Sequence, residues 1–187
     1  IQAIFANRIL FWGLMIGELG LVFYLSARIM RMSFAAAGLA FAAYAILNGL
    51  TLSFIFMAYT MESIATTFFV TAGTFGAMSI VGYTIKRDLG TLGRILIMAL
   101  IGVIIASVVN MFVHSSALQF IVSILGVLIF TGLTAYDTQK IKWRVTQNNG
   151  LGEETVMKLA LLGSLTLYLD FINLFLYLLR FLGNSRD

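Results

Sequence analysis

The chain has 187 residues, of which 60% are hydrophobic and only 11% are charged, and it contains no cysteine. Soluble domains carry about 25% charged residues, so this composition excludes an ordinary soluble protein and indicates an integral membrane protein. The lack of cysteine excludes a disulfide, a thiolate nucleophile and a cysteine metal site. The net charge of +4 comes from basic residues in short loops, which gives no support to nucleic acid as a partner.

Six long apolar segments follow one another at approximately 9–27, 34–58, 63–85, 93–113, 117–138 and 157–182. About 20 helical residues cross the ~30 Å hydrocarbon core of a bilayer, so each segment is a candidate span. The segments lack the period-two alternation of membrane strands, and helices satisfy their own backbone groups in lipid. We therefore predict an all-α integral membrane protein, a polytopic helical bundle in which residues 1–187 form a single transmembrane domain.

The connections between the segments are short, apart from a polar stretch at Lys140–Thr155. Nine of the twelve basic residues lie in or beside alternate connections. Because Lys and Arg are enriched in cytoplasmic loops, this asymmetry predicts that these connections face the cytoplasm and that the C-terminus faces outward. The nine residues are Arg28, Arg31, Lys86, Arg87, Arg94, Lys140, Lys142, Arg144 and Lys158.

The first segment, 9–27, contains one acid, Glu18, and is followed by Arg28 and Arg31. Glu18 either lines the interior of the bundle or makes a polar packing contact, for example with Asn48, and the sequence leaves both interpretations open. The two arginines are ordinary topology signals, or they are candidates for a latch that forms a salt bridge with an acid of a later segment.

The second segment carries Asn48 in AILNGLTLSFIF, on one helix face with Tyr44 and Thr51. Hydrogen bonding between membrane helices is an adequate explanation of such an asparagine. Because a polar side chain within a span can also face a water-filled interior, Asn48 and Glu18 are both candidates for lining a pore.

The fifth segment ends in TGLTAYDTQKIK, which places Asp137 at its basic end and Thr134 one turn before it. A carboxylate at this depth either extends to the membrane interface beside Lys140 or turns into the bundle. The first interpretation is purely structural, and the second is functional.

The last segment, LALLGSLTLYLDFINLFLYLLRFL, holds Asp170 close to its middle. On a helix, Thr166, Asp170, Asn173 and Tyr177 fall on one face, while the other faces carry Leu, Phe and Ile. A charge at mid-membrane costs at least about 2.5 kcal/mol, so an acid there is a functional-site hypothesis by default. We predict that this polar stripe faces inward and that Thr166, Asn173 and Tyr177 are candidates for lining a pore.

Asp137 and Asp170 are expected to approach each other, because a connection of under twenty residues favours packing of their two helices. Two carboxylates in one low-dielectric site cannot both ionise cheaply, so the pair should titrate as a unit. Once ionised, the pair offers the oxygen ligands that Ca²⁺ prefers. The sequence therefore predicts a proton-sensitive site that binds a cation transiently.

Several enzyme classes lack the residues that they need. An intramembrane serine protease requires a facing serine and histidine, but the sole histidine, His114, lies in a short loop beside Ser115 and Ser116. No lysine lies at mid-span to form the Schiff base of a retinal protein, and the HExxH motif of zinc proteases is absent. The sequence thus predicts no catalytic residues and argues against an enzyme.

The stretches SLTLYLDFINLFLYLLRFLG, TAYDTQKIK and NGLTLSFIF resemble, in order and spacing, the bacterial branch of the Bax inhibitor family (transmembrane Bax inhibitor motif proteins). The resemblance implies a bundle of seven helices in which a central final helix is wrapped by the other six. Because only six spans are found and the Glu18 helix is similar to the second family helix, we expect the first transmembrane helix of the family to be absent from this chain.

The resemblance also implies roles for individual residues. Family members are described as pH-sensitive Ca²⁺ leak channels in which a di-aspartyl pair senses protons, and Asp137 and Asp170 match that pair. An arginine at the end of the second family helix is described as latching the pair, which points to Arg28 or Arg31. Glu18 matches the acidic position of the same helix. Other members are described as suppressing cell death or modulating a membrane quality-control protease.

The leading hypothesis is a Ca²⁺ leak channel, or a Ca²⁺/H⁺ exchanger, of the bacterial cytoplasmic membrane, gated by protonation of Asp137 and Asp170. Its expected partners are the lipid bilayer, Ca²⁺ and H⁺, with no cofactor other than the transported ion. The alternative is a non-conducting regulator that binds a membrane protease or a stress or cell-death factor. A third hypothesis, a proton-coupled transporter, has weak support from a threonine stripe at Thr67, Thr71 and Thr74.

Overall fold

The computed structural model describes residues 8–148, 150 and 152–184, so the two ends of the predicted domain lie outside the described residues. The described chain is built of α-helices joined by short connections. Their bounds are α1 (Arg8–Arg28), α2 (Phe34–Leu52), α3 (Ile55–Ala58), α4 (Met61–Thr84), α5 (Gly90–Val113), α6 (Ser116–Gln147) and α7 (Glu153–Leu182), with a 3₁₀ turn at Ile29–Arg31 after α1.

Five helical stretches of the described chain are long and apolar enough to cross a membrane. The predicted fold class, an all-α polytopic membrane bundle, is therefore confirmed. The predicted span at 9–27 lies on α1, and its crossing of the membrane stays a prediction. The five stretches are Phe34–Ala58, Met61–Thr84, Gly90–Val113, Ser116–Gln147 and Glu153–Leu182.

Three helices begin at a hydroxyl side chain that accepts a hydrogen bond from a backbone N–H of the first turn. Ser33 caps α2, Thr60 caps α4 and Ser115 caps α6, with donor–acceptor distances of 3.2, 3.3 and 3.3 Å. These caps satisfy backbone donors that have no partner within the helix. At the other end of α5, His114 adopts a left-handed conformation with φ 53°, and it is exposed as expected for a loop residue.

The second apolar segment is not one continuous helix. It is interrupted at Ser53 and Phe54, between α2 and α3. The Ser53 hydroxyl donates a hydrogen bond of 2.6 Å to the carbonyl of Leu50, a bond that competes with regular helix hydrogen bonding. The interruption coincides with this bond, and hydropathy alone gives no sign of it.

The prediction of a long polar connection from residue 140 is wrong for residues 140–147, because α6 continues to Gln147. Hydropathy marks where the apolar stretch ends, at about residue 138, whereas Lys, Arg and Gln are good helix formers that extend the helix beyond it. The basic end of α6 therefore projects from the apolar part of the bundle as a helix.

The last helix, α7, packs against α6, α4, α2 and the 3₁₀ turn, so it lies inside the bundle as the resemblance implied. Leu165, Leu174 and Leu179 on α7 are almost fully buried. In contrast, the outer faces of the other helices expose large apolar side chains such as Phe69, at 73%, and Phe112, at 80%. Exposed apolar surface of this extent is what a helix presents to lipid.

Candidate functional site

Asp137 on α6 and Asp170 on α7 meet inside the bundle. Their side chains are 9% and 5% exposed, and the two carboxyl groups lie within hydrogen-bonding reach of each other. The close packing of α6 against α7 brings them together. Asp137 therefore points into the bundle in this structure.

Two polar neighbours of Asp170 on α7 direct their hydrogen bonds to backbone carbonyls and not to its carboxyl group. Thr166 donates its hydroxyl hydrogen to the carbonyl of Leu162 at 3.0 Å, and Asn173 donates its amide hydrogen to the carbonyl of Leu169 at 2.8 Å. Among the described residues, the buried Oδ2 of Asp170 has no hydrogen-bond partner. A buried acceptor without a donor is costly, so a proton, a water molecule or a cation is the expected partner of this oxygen.

The two acids face a cleft of about 400 Å³ between α5, α6 and α7, which we call the aspartate cleft. Three of the residues predicted to line a pore, Thr166, Asn173 and Tyr177, lie in its wall. The remainder of the wall is apolar: Ile97, Leu100, Ile104, Phe130, Leu133 and Leu169. Carboxylates in a mostly apolar cleft interact strongly with a cation, because little water competes with it.

Glu18 and Asn48 form a second polar cluster, separate from the aspartate cleft. The Glu18 carboxyl lies near Asn48 and Thr51, but its Oε1 and the Thr51 hydroxyl have no hydrogen-bond partner among the described residues. Tyr168 donates a hydrogen bond of 2.9 Å to Oδ1 of Asn48. The ring of Tyr44 meets that of Tyr168 edge to face at 6.0 Å. Both interpretations of Glu18, the pore lining and the polar packing contact, stay predictions.

The structure does not place the latch candidates beside the aspartates. Arg28 and Arg31 are exposed, with the Arg28 guanidinium 5.8 Å from the centroid of the Tyr24 ring. Ile29, which lies between them in sequence, is fully buried in a cluster that includes Leu165 of α7. The two arginines therefore face away from α7, on the exposed side of the turn. The ion pair found among the described residues joins two other groups, Lys158 and Glu154, at 3.0 Å.

The cations that attract Asp137 belong to its own helix. Lys140 and Arg144, one and two turns further along α6, both interact electrostatically with the Asp137 carboxyl. The Lys140 ammonium also lies 5.2 Å from the centroid of the Tyr136 ring. From the sequence alone, Lys140 is a topology signal and an interfacial neighbour of Asp137, and Arg144 is a topology signal, whereas the structure places both at the end of the aspartate pair.

Gln139 is a positioning residue that the sequence does not reveal. Its side chain is only 2% exposed, and its Oε1 accepts a hydrogen bond of 2.9 Å from the N–H of Leu89. Its Nε2 donates to the carbonyls of Arg87, at 2.9 Å, and Ile85, at 3.4 Å. This one amide fastens the α4–α5 connection to α6, two residues after Asp137. A glutamine in a charged stretch gives no sign of such burial.

We expect Gln139→Ala to lower the free energy of unfolding by about 1–3 kcal/mol, because it removes three hydrogen bonds that a buried amide makes with the α4–α5 connection. The measurement is thermal or denaturant unfolding in detergent, with Gln147→Ala as the matched control, since Gln147 is an exposed glutamine of the same helix. Equal stability of the two variants would show that the amide does not fasten the connection.

The threonine stripe on α4 gives no support to a polar cavity. Thr67 and Thr71 are 1% and 0% exposed, and the Thr71 hydroxyl donates a hydrogen bond of 2.7 Å to the carbonyl of Thr67. The Thr71 hydroxyl is thus used within the helix, and both buried side chains lie in the packing between helices.

The fold and the two acids that meet on its last two helices define the class of this protein as a polytopic helical membrane protein. Comparison with known sequences identifies its family. The family model described as "Inhibitor of apoptosis-promoting Bax1" matches residues 1–187. This chain belongs to the Bax inhibitor-1 family. The resemblance found in the sequence is thus confirmed.

Bacterial relatives match nearly the whole chain. The inner membrane protein YbhL of Escherichia coli K12 is 52% identical over 185 residues, which cover 99% of this chain and 79% of that protein. An uncharacterised protein of Borreliella burgdorferi is 52% identical over 186 residues, covering 98% and 79%. An uncharacterised protein of Rickettsia prowazekii is 48% identical over 176 residues, covering 93% and 73%.

Proposed function

We propose that this protein is a pH-sensitive calcium leak channel, or a Ca²⁺/H⁺ exchanger, and has no enzymatic activity. One observation supports the proposal above all: two buried carboxyl groups lie within reach of each other at a cleft of about 400 Å³. Together with the side-chain oxygens of Thr166, Asn173 and Tyr177, they offer Ca²⁺ the hard oxygen ligands that it prefers, and water completes the shell.

Protonation of the pair gates this pathway. Because two adjacent carboxylates repel each other in a low-dielectric site, they share a proton until the pH rises far enough to remove it. The fully charged pair attracts Lys140 and Arg144 towards the aspartate cleft and closes that end. A protonated pair releases these cations but also attracts Ca²⁺ less strongly. The flux therefore peaks at an intermediate pH.

The proposed location is the bacterial cytoplasmic membrane, with the loops rich in Lys and Arg on the cytoplasmic side. The name of the Escherichia coli relative, an inner membrane protein, supports this location. The positive-inside rule supports the orientation. In this orientation Lys140 and Arg144 lie at the cytoplasmic end of the pathway and Arg180 at the outer end.

The test is Ca²⁺ flux into proteoliposomes that contain a calcium-sensitive dye, measured from mildly acidic to mildly alkaline pH. We expect a flux above that of protein-free liposomes, with a maximum within the range. A flux that does not depend on pH would contradict the gating, and the absence of flux would contradict transport.

The description of the matching family as an inhibitor of apoptosis-promoting Bax1 favours a second candidate, a non-conducting regulator that binds another membrane protein. Such a partner would be a membrane quality-control protease or a cell-death factor. The regulator predicts stoichiometric co-purification of that partner together with no flux in liposomes that contain the purified protein alone.

A further inference from the structure

A second cleft, of about 490 Å³, lies beyond the aspartate cleft at the opposite end of the same three helices. Its wall includes Ser107 near the end of α5, Gln119 near the start of α6, and Arg180 in the last turn of α7. We call it the arginine cleft. It shares two wall residues, Ile104 and Tyr177, with the aspartate cleft. The two clefts are therefore neighbours along the axis of the bundle.

The Tyr177 ring stands between the two clefts and is held there by three contacts. It stacks on the Phe130 ring, with centroids 5.8 Å apart and an angle of 26° between the planes. It packs directly on Gly126 of α6, where an added methyl group would overlap the ring. In addition, the guanidinium of Arg180 lies 5.8 Å from its centroid.

We propose that the Tyr177 ring is the gate between the aspartate cleft and the arginine cleft. When the ring packs against Phe130 and Gly126, it closes the space that joins the clefts, as apolar constrictions do in channels. Rotation of the side chain away from Gly126 joins the clefts into one path past Asp170. The inference rests on the proposed function, to which it adds the residue that closes the end of the pathway away from Lys140 and Arg144.

Arg180 adds an electrostatic element to this gate. Its charge lies on the arginine-cleft side of the ring, where it opposes the approach of a cation as long as the guanidinium stays in the cleft. Because the guanidinium lies over the ring, a rotation of Tyr177 also removes the contact that holds Arg180. Steric and electrostatic opening are thus coupled through one side chain.

The chain has no native cysteine, so single cysteines report access to each cleft. Ser107→Cys reports on the arginine cleft and Thr166→Cys on the aspartate cleft. A membrane-impermeant thiol reagent is applied to right-side-out and to inverted membrane vesicles. With Tyr177 in place, we expect the cysteine of Ser107→Cys to react from the face that carries Arg180, and that of Thr166→Cys not to react from that face.

Removing the ring should open this route. A minor open state is typically populated at about 0.1–10%, so Tyr177→Ala should raise the labelling rate of the Thr166→Cys protein from the Arg180 face by about tenfold or more. Tyr177→Phe should keep the parental rate, because it retains the ring. Phe181→Ala is the matched control, since Phe181 is an exposed aromatic residue on the same helix.

Gly126→Ala is a second variant, to be used if Tyr177→Ala does not fold. The added methyl group would overlap the Tyr177 ring and displace it, so this variant should also raise the labelling rate. Gly102→Ala, with no atom within 4 Å of the added carbon, should not. An unchanged rate in the folded Tyr177→Ala or Gly126→Ala protein would overturn the gate, whatever the flux. A raised rate without Ca²⁺ flux in liposomes would support the gate and contradict calcium transport.

Discussion

Asp170→Asn should flatten the pH dependence of the Ca²⁺ flux and lower its maximum by about tenfold or more, since a loss of only about 1.4 kcal/mol in binding is a tenfold change. The substitution removes one of the two charges that attract the cation and the group that shares a proton with Asp137. It does so with little change of shape, so the aspartate cleft should keep its form.

The same variant should be as stable as the parent protein, or more stable. A buried oxygen of Asp170 lacks a hydrogen-bond partner among the described residues, whereas an asparagine amide can donate a hydrogen bond to the Asp137 carboxylate. The substitution also removes the repulsion between two carboxylates that share a low-dielectric site. Lower flux together with equal or higher stability is the result expected of a buried acid that serves function at the expense of stability.

The measurements are proteoliposome flux across the pH range and thermal unfolding in detergent, for Asp170→Asn, Asp137→Asn and the parent protein. Glu62→Gln is the control, because Glu62 is an exposed acid in the first turn of α4. If Asp170→Asn retained the pH dependence of the parent, the pair would not be the sensor. If it unfolded at a much lower temperature, the role of Asp170 would be structural.

Gly82→Ala should destabilise the protein strongly. A carbon added at Gly82 would overlap the backbone carbonyl group of Ala135, where α4 crosses α6. No side chain can move aside to relieve a clash with backbone, so the two helices must separate. Overpacking of this kind costs about 1–3 kcal/mol and occasionally more. The separation also disturbs α6 two residues before Asp137.

Gly73→Ala is the matched control for this prediction. Gly73 lies on the same helix, and an added carbon there would have no heavy atom within 4 Å. Ala is favoured over Gly inside a helix by roughly 0.5–1 kcal/mol, so this control should be neutral or stabilising. Unfolding temperatures and the yield of folded protein in detergent provide the comparison. Equal values for the two variants would contradict the close contact.

The helical bundle and the meeting of the two acids could be predicted from the sequence because they depend on local patterns. Long apolar runs define helices in lipid, and helices joined by a short connection pack together. The inward direction of Asp170 follows from the helical spacing of Thr166, Asn173 and Tyr177. None of these inferences requires knowledge of a distant contact.

Other features depend on contacts between segments far apart in sequence, and hydropathy does not contain them. Gln139 acquires its role from backbone groups about fifty residues earlier. Asn48 and Glu18 belong to a separate cluster because Tyr168 points to that side of α7, away from Asp170. Arg28 and Arg31 are turned outward because Ile29 between them is buried. Hydropathy places the end of the apolar segment before the end of α6, because charged residues end a membrane segment but do not end a helix.

The hydrogen bonds of Gln139 restrict the relative motion of three helices. They connect the end of α4 and the start of α5 to α6, and Lys142 adds a hydrogen bond of 2.8 Å to the carbonyl of Tyr83. At this end of the molecule, the three helices should move as one rigid piece. Relative motion should then be largest at the interface between these three helices and α7. This interface contains both the aspartate pair and the contact of Tyr177 with Phe130 and Gly126. A small shift of the last helix would therefore change both ends of the pathway together.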